Sequence, residues 1–430
     1  MRVLLINRND FIDGGADRVF LNTYDLLKDA NASFPSLPKG GVGEGTIKPG
    51  EGILVDKFTR ADVGLSDVNP RTLGWWAKLR LVREYLYNKK VALALDNKIK
   101  DFRPDVAHIH LIFGTLSVSV LRMLKKCGIP VVMTLHDYRL ICPVNAMLDR
   151  HGKVCERCKG KSYYNCLTHR CSEGNLFFSA VIMLEAYLRK YLIRPLKLVD
   201  HFIFVSEFAR NKHIQFEPRY AAISSHLFNM AEPIIKTPTV RGDYFLYYGR
   251  LSREKGILTL IAAAKKANVN LVIAGSGPQE SELLAYLQKT DNPQPITRNP
   301  QPATCNISLV GFKSGTALKD LIAGCAFVVV PSEWYENNPM TVVEGFSYGK
   351  PVIGSDIGGI PELVSKETGF LFEMGNIYSL AKALTKANSL SIEDYKKMSD
   401  SCRSFALKHF DQKYHFESLR GIYQQAINRA

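Results

Sequence analysis

No stretch of the 430-residue chain stays apolar for the roughly 20 residues that a bilayer-spanning helix needs. The most apolar window, Leu176 to Leu184, is stopped by Glu185. The N-terminus offers only Val3 to Ile6 before Asn7 and Arg8, too little for the apolar core of a secretory signal, so it reads as a first strand of a cytoplasmic protein. No G-x-G-x-x-G follows a strand, which argues against a nicotinamide oxidoreductase. Asp-x-Asp is absent too, so a catalytic divalent metal is not expected. Acid is in short supply: 41 acidic residues face 56 basic ones, for a net charge of +15. No helix-turn-helix, RNA-binding motif or zinc-finger array accompanies that excess, which leaves no case for nucleic acid.

What is present is ordinary globular material, 46% hydrophobic and 23% charged, long enough for two full domains. The charge is unevenly shared. Residues 1 to 230 hold 34 basic against 22 acidic side chains, and residues 231 to 430 hold 22 against 19. A basic first half suits an anionic membrane or a phosphorylated substrate, or is simply a cationic soluble surface.

The most informative stretch runs from Pro331 to Pro361, PSEWYENNPMTVVEGFSYGKPVIGSDIGGIP. Ala326 to Val330 before it is short, continuous and β-branched, as a buried parallel strand would be. Asn338 then suits an N-cap, Pro339 the first helical position, and Gly349 with Lys350-Pro351 the end of that helix. The free amides at such a helix start, from Asn338 through Met340 to Thr341, attract phosphate. Glu336 falls in the loop and Glu344 inside the helix, where one suits a sugar and the other a pair of ribose hydroxyls; as two isolated glutamates they would read as solvated surface.

Glu336 and Glu344, with seven residues between them in the context Ser332 to Val364, resemble the two-glutamate signature of retaining GT-B glycosyltransferases, the large family 4 or "group 1" type. The resemblance runs through most of the chain and is weakest in residues 31 to 100 and 286 to 306. It implies an α/β fold with two Rossmann-like domains whose parallel sheets face each other across a cleft. The implied layout is 1–229 for an acceptor-binding domain with a Cys-rich insertion at 142–174, 230–413 for a nucleotide-sugar-binding domain, and 414–430 for a helix crossing back. It also implies that Glu344 holds the ribose, Glu336 the donor sugar, and the Asn338 to Thr341 amides the sugar hydroxyls or diphosphate. Gly249 to Gly256 follows the strand Tyr244 to Tyr248, and cations just past a strand can neutralise a departing diphosphate. Arg250 and Lys255 match the pair that the family uses there. By the same resemblance the backbone of Gly311 and Phe312 meets the nucleobase.

In the first half, Arg2 to Asn7 reads as a strand, and Gly14-Gly15-Ala16-Asp17 opens a helix where a phosphate or sugar fits, or is a plain turn. The resemblance puts Gly15 beside the donor. Strands Asp105 to Leu111 and Pro130 to Leu135 deliver His110 and His136 to their carboxyl ends, where open parallel sheets bind ligands. A lone histidine there is commonly structural; the family's strand-end histidine beside the reacting sugar matches His136.

Two helical stretches carry the basic character. Arg71 to Lys90 is led by Trp75 and Trp76 and holds six basic residues against one acid, Glu84; Leu176 to Leu196 has a broad apolar face and a basic end. Each suits either an anionic membrane surface or burial in the domain. Cys155, Cys158, Cys166 and Cys171 are spaced C-x2-C-x7-C-x4-C, so they read either as a closed structural zinc site or as reduced packing thiols.

The implied activity is transfer of a hexose from a UDP-, GDP- or ADP-sugar to a glycan, lipid-linked, with retention and without a catalytic metal. The setting would be bacterial surface polysaccharide synthesis on the inner face of the cell membrane, the protein being peripheral there. A nucleotide-sugar epimerase of similar fold is the rival enzyme, distinguished by releasing free sugar without an acceptor. A noncatalytic scaffold binding sugar nucleotide or zinc is disfavoured because Arg250, Lys255, Glu336 and Glu344 are all present.

Overall fold

Short β-branched runs form buried strands wherever both faces of a sheet are covered, and the computed structural model contains two such sheets. It describes residues 1–33, 52–65, 74–160, 162–172, 174–231, 240–290 and 305–429. Residues 34–51, 66–73 and 291–304, within the two stretches where the resemblance is weakest, and the side chain of Trp75 lie outside these residues.

The chain divides into two compact units. One comprises Met1–Ala146, Glu156–Met230 and Gln412–Ala430, and the other Met147–Cys155 and Ala231–Asp411. The Cys-rich segment is thus split: the short antiparallel bridge Leu148–Val154 belongs with the second unit.

The first unit's strands are β1 (Arg2–Ile6), β2 (Leu54–Phe58), β3 (Val106–Ile109), β4 (Val131–Leu135), β5 (His201–Phe204) and β6 (Ser224–His226). They pair in the order β2-β1-β3-β4-β5-β6, all parallel. Connections run one way from β1 to β2 and the other way from β3 onward, so the order switches between β1 and β3. The terminal helix Gln412–Arg429 joins this unit by one stripe, Phe416, Leu419, Tyr423 and Ala426, buried with Val3, Leu5, Val106 and Val132. Burying a Phe or Leu side chain is worth about 1.5–3 kcal/mol, so the stripe is enough to anchor the helix.

The helix expected over Leu176 to Leu196 is shorter. Regular helix spans Leu176–Leu188, widens to a π turn at Arg189–Ile193, and ends with Arg194 at φ 57° before Pro195 starts a new turn. The proline ring disfavours right-handed helical geometry in the residue before it, so the helix breaks there.

The second unit holds β7 (Phe245–Tyr248), β8 (Leu271–Ala274), β9 (Ile307–Leu309), β10 (Phe327–Val330), β11 (Val352–Ser355) and β12 (Gly369–Phe372). Their order is β12-β11-β10-β7-β8-β9, again all parallel, and it reverses between β7 and β10. Phe245, Ile261, Leu271, Phe327, Ile353 and Leu384 share its core. After β10 the helix begins one residue later than expected, at Met340–Ser347, with Pro339 rather than Asn338 as N-cap. Pro339 has a helical φ of −65° but an extended ψ of 121°, so its ring leads into the helix from outside. The helix ends with Gly349 at φ 66°; Lys350 N donates to Gly345 O at 2.8 Å and Gly349 N to Phe346 O at 2.9 Å, the paired closing bonds that a left-handed glycine allows.

Candidate active site

In an open parallel sheet, loops beyond the carboxyl ends of strands at a reversal of strand order form a crevice. The second unit has its reversal between β7 and β10, and the loops leaving those strands are Gly249 to Gly256 and Pro331 to Pro339. They interlock backbone to backbone. Gly256 has φ +66°, and a Cβ there would fall 2.0 Å from Pro331 O. Glu333 N donates to Glu254 O at 2.7 Å, and Thr259 Oγ1 donates to Glu333 Oε1 at 2.6 Å.

That fastening carries Lys255 to Glu336. The ammonium donates to Glu336 Oε1 at 2.5 Å, Ser332 Oγ donates to the same oxygen at 2.7 Å, and Lys255 Nζ stands 5.1 Å from the centroid of the Trp334 ring. Glu336 is only 7% exposed. Burial pushes its pKa up, but the charge and hydrogen bond of Lys255, helped by Ser332, outweigh it and hold the carboxyl below its usual range. The glutamate's backbone is fixed as well: Gly359 N donates to Glu336 O at 2.7 Å, and Ser355 Oγ bonds Ser332 O at 2.7 Å. Glu336 is therefore an ionised, oriented carboxylate.

The remaining expected donor residues line the same ends of the same sheet. Pro339, Met340 and Thr341 form the helix start, where the first amides have no acceptor within the helix; Tyr248 OH donates to Thr341 O at 3.1 Å. Asn338 is buried just before them, and Glu344 is partly buried one turn in. Gly249 has φ 146°, and a Cβ on the neighbouring Gly275 would meet Gly249 O at 1.9 Å. Arg250 is exposed beside it. Gly275 N donates to Gly311 O at 2.9 Å, tying the turn after β8 to the one after β9, where Phe312 is exposed.

The first unit presents a second group of residues around its own reversal. Gly15 begins the helix Gly15–Ser33, and buried Asp17 from its first turn accepts from Asn7 Nδ2 at 2.9 Å, while Asn7 Oδ1 accepts from Leu111 N at 3.1 Å. The loops after β1 and β3 are thereby joined. His136 follows β4 and its Nε2 lies 2.9 Å from Nδ1 of His110, which follows β3, with the rings stacked. Burial lowers the pKa of His136 to about 4, so it is a neutral imidazole at pH 7.

Comparison with known proteins agrees with this geometry. Residues 235–405 match the family model described as "Glycosyl transferases group 1", and residues 69–223 match "Glycosyltransferase Family 4". Together these take in well over half of the chain. The chain belongs to the group 1 glycosyltransferases.

Among relatives of this glycosyltransferase, an uncharacterized 42.6 kDa protein in the cps region of Klebsiella pneumoniae is 26% identical over 281 residues. That match covers 65% of this chain and 64% of the relative, a little under two thirds of its length. An uncharacterized glycosyltransferase of Methanocaldococcus jannaschii is 24% identical, with 75% of both chains covered. In fold, the chain is similar to sucrose-phosphate synthase from Thermosynechococcus elongatus, with TM-score 0.65, 16% identity and 100% of both chains covered. It is also similar to Anabaena HepE in complex with UDP and glucose, with TM-score 0.61, 16% identity and 98% of both chains covered.

The expected zinc site of the glycosyltransferase is not assembled. Cys155 goes with the second unit, where its amide donates to Met147 O at 2.8 Å, while Cys158, Cys166 and Cys171 belong to the first. Among the described residues no group of three or more His, Cys, Asp or Glu is placed to hold a metal. Cys166 is buried and shares a hydrogen bond with Cys171; that bond and burial raise its pKa, as suits a reduced packing thiol.

Sequence reasoning also missed residues that brace the candidate site and the first unit's sheet. Ser332 and Gly358 carry no recognisable pattern of their own, though both lie in the stretch Pro331 to Pro361. His108 was hidden in a strand: its Nδ1 meets Tyr423 OH and its Nε2 meets Thr134 Oγ1, both at 2.7 Å. The partner 315 positions away could not be read from local pattern.

Proposed function

We propose that the protein transfers a hexose from a nucleotide diphosphate sugar to a glycan acceptor with retention of configuration, in the synthesis of a surface polysaccharide. The observation that carries this reading is the Lys255–Glu336 pair at the β7/β10 reversal, beside the start of the helix Met340–Ser347. In this reading the second unit is the donor-binding domain and the first the acceptor-binding one. Lys255 and Arg250 meet the negative charge that develops on the departing diphosphate, with the Asn338 to Thr341 amides adding to it. Pre-set donors of that kind need no reorganisation during the reaction, which is why removing one typically costs ~10²- to 10³-fold in rate. The proposed catalysis relies on these protein groups for the charge and assigns no step to a metal.

Glu336 orients the donor sugar, Glu344 accepts from the ribose hydroxyls, and the backbone of Gly311 and Phe312 meets the nucleobase. Gly249 and Gly15 allow the donor close approach in their loops. His136 faces the sugar from the first unit. UDP-, GDP- and ADP-sugars are the candidate donors, and a neighbour's complex with UDP and glucose favours the first. Retention fits attack on the same face as the leaving phosphate, since no further carboxylate is assigned as a nucleophile.

A lipid-linked acceptor at the inner face of a membrane is supported by the helix Leu176–Leu188. Its only charged side chain, Glu185, and its serine, Ser179, are buried, whereas Leu176, Phe177 and Leu184 are exposed. Trp76, 81% exposed, leads the neighbouring helix Trp75–Leu86, which carries Lys78, Arg80 and Arg83. No described helix is long and apolar enough to cross a membrane, so the proposed attachment is peripheral.

Thermal shift with UDP-, GDP- and ADP-sugars identifies the donor, and NMR of the product then assigns its anomer. Stabilisation by one donor class and a retained linkage are expected. An inverted linkage overturns the stereochemical part, and no shift with any of the three overturns the donor part.

A further inference from the structure

His110 is 2% exposed at the end of β3 and makes one hydrogen bond through its ring, from or to His136 Nε2 at 2.9 Å. Its other ring nitrogen, Nε2, is buried with no hydrogen-bond partner. The walls around the ring are Phe20, edge-on with centroids 5.6 Å apart, and His108 at 4.5 Å, whose own two nitrogens are engaged by Tyr423 and Thr134. A neutral imidazole has a single N–H. If that proton sat on Nε2 of His110, a buried donor would be left with nothing to donate to, and orphaned N–H groups are rarer in proteins than orphaned acceptors. With the proton on Nδ1, the bond to His136 is made and only a bare lone pair is left facing the apolar wall.

We propose that His110 is a positioning residue that fixes the tautomer of His136: His110 Nδ1–H donates to His136 Nε2, so the proton of His136 stands on Nδ1. This rests on the reading of His136 as the group that faces the sugar. It assigns His136 a definite chemical role. With Nε2 capped, His136 cannot take a proton from the acceptor through that atom, and its own proton is carried on Nδ1. His108, held by Tyr423 from the terminal helix, forms the floor that keeps the His110 ring in its stack.

The test is nitrogen-15 NMR of the full chain labelled at histidine, with His136→Gln identifying the His136 signals. The expected wild-type spectrum has His136 Nε2 as an unprotonated nitrogen and Nδ1 as a protonated one. His110→Phe keeps an aromatic ring in the stack and removes the donor, so His136 is expected to shift toward the Nε2–H form. His110→Asn, whose amide N–H₂ falls near the position of Nδ1, is expected to restore the wild-type tautomer. A wild-type His136 protonated on Nε2, or a tautomer unchanged in a folded His110→Phe protein, overturns the proposal. In turnover, His110→Phe is expected to lower kcat about tenfold with little change in KM, the size that loss of one neutral hydrogen bond gives, with His110→Asn recovering most of it. The NMR outcome does not depend on activity, so failure of the transferase reading would appear as a wild-type protein without turnover but with the stated tautomer.

Discussion

Lys255 Nζ and Glu336 Oε1 are 2.5 Å apart although 81 positions separate the residues, because the loops after β7 and β10 are fastened to each other by Gly256 against Pro331 and Glu254 against Glu333. The pair is a product of strand order. Only where β7 and β10 are neighbours do loops from distant parts of the chain share a crevice.

Lys255→Ala is expected to lower turnover by ~10²- to 10³-fold, through loss of the cation proposed to meet the departing phosphate. It also leaves a buried carboxylate without its counter-charge, which typically costs about 3–5 kcal/mol. Adding Glu336→Gln should restore much of the melting temperature but none of the turnover, since it removes the unpaired charge without returning the cation. Steady-state kinetics and thermal unfolding of the two single variants and the double variant separate these effects. Near wild-type turnover for Lys255→Ala would discard its role.

Gly358→Ala tests the backbone under Glu336. Gly358 has φ +64°, and a Cβ there would lie 2.4 Å from Glu336 O and 2.8 Å from Glu336 N. The left-handed conformation alone costs an L-residue roughly 1–2 kcal/mol, and the close atoms are backbone that cannot swing aside. The expected result is a lower melting temperature together with a raised KM for donor as Glu336 is displaced. An alanine variant with unchanged stability would mean that the loop relaxes freely.

Acid should weaken the first unit before the second. Burial lowers His136, His201, His213 and His415 to about 4 and His108 to about 3, and all five belong to the first unit. Between pH 6.5 and about 4 the unfolded chain takes up protons that the folded chain refuses, so the stability is fully present above pH 6.5 and is lost as pH falls toward 4. Each withheld proton costs up to about 1.4 kcal/mol per pH unit. The Lys255–Glu336 pair acts lower: the depressed carboxyl contributes fully above its ordinary range and fails only as pH drops below it. Hydrogen exchange read by mass spectrometry at pH 7.5, 6 and 5 is expected to show early loss of protection in β3, β4 and β5, with β7 and β10 still protected. Equal loss in both units would contradict the assignment.

Much of this was legible in sequence because it is local. Ala326 to Val330 declares a strand, Gly249 to Gly256 a turn and the Pro331 to Pro361 stretch a loop and helix by residue type. The helix start was misjudged by one residue because proline fixes φ but leaves ψ open, so Pro339 serves as cap. Long-range pairings were not legible. Nothing near Cys155 announces that it goes with the second unit while Cys158 goes with the first. Nor does His108 announce a partner in the last helix; that contact is decided by where Tyr423 falls on the buried stripe of the helix Gln412–Arg429.

The helix Leu176–Leu188 leads to the last prediction. Water-facing helices ordinarily put charge outside and apolar side chains inside, but here Glu185 is buried against Arg139 at 3.7 Å and Arg189 at 3.4 Å while Leu176, Phe177 and Leu184 are outside. Lys190 stands 5.2 Å from the Tyr191 ring centroid, and Arg194 and Lys197 are exposed just beyond, so the apolar face is followed by cations. An interfacial helix gains from both features, with each cation near an anionic leaflet worth about 1 kcal/mol. The protein is therefore expected to float with phosphatidylglycerol-rich vesicles and much less with pure phosphatidylcholine ones. Leu184→Glu and Phe177→Glu together should lower that binding at least about tenfold while donor hydrolysis in solution is unchanged, since neither residue lies in the Lys255–Glu336 site. Binding that survives both changes, or none at all by the wild-type protein, would mean that this face is covered by something other than lipid.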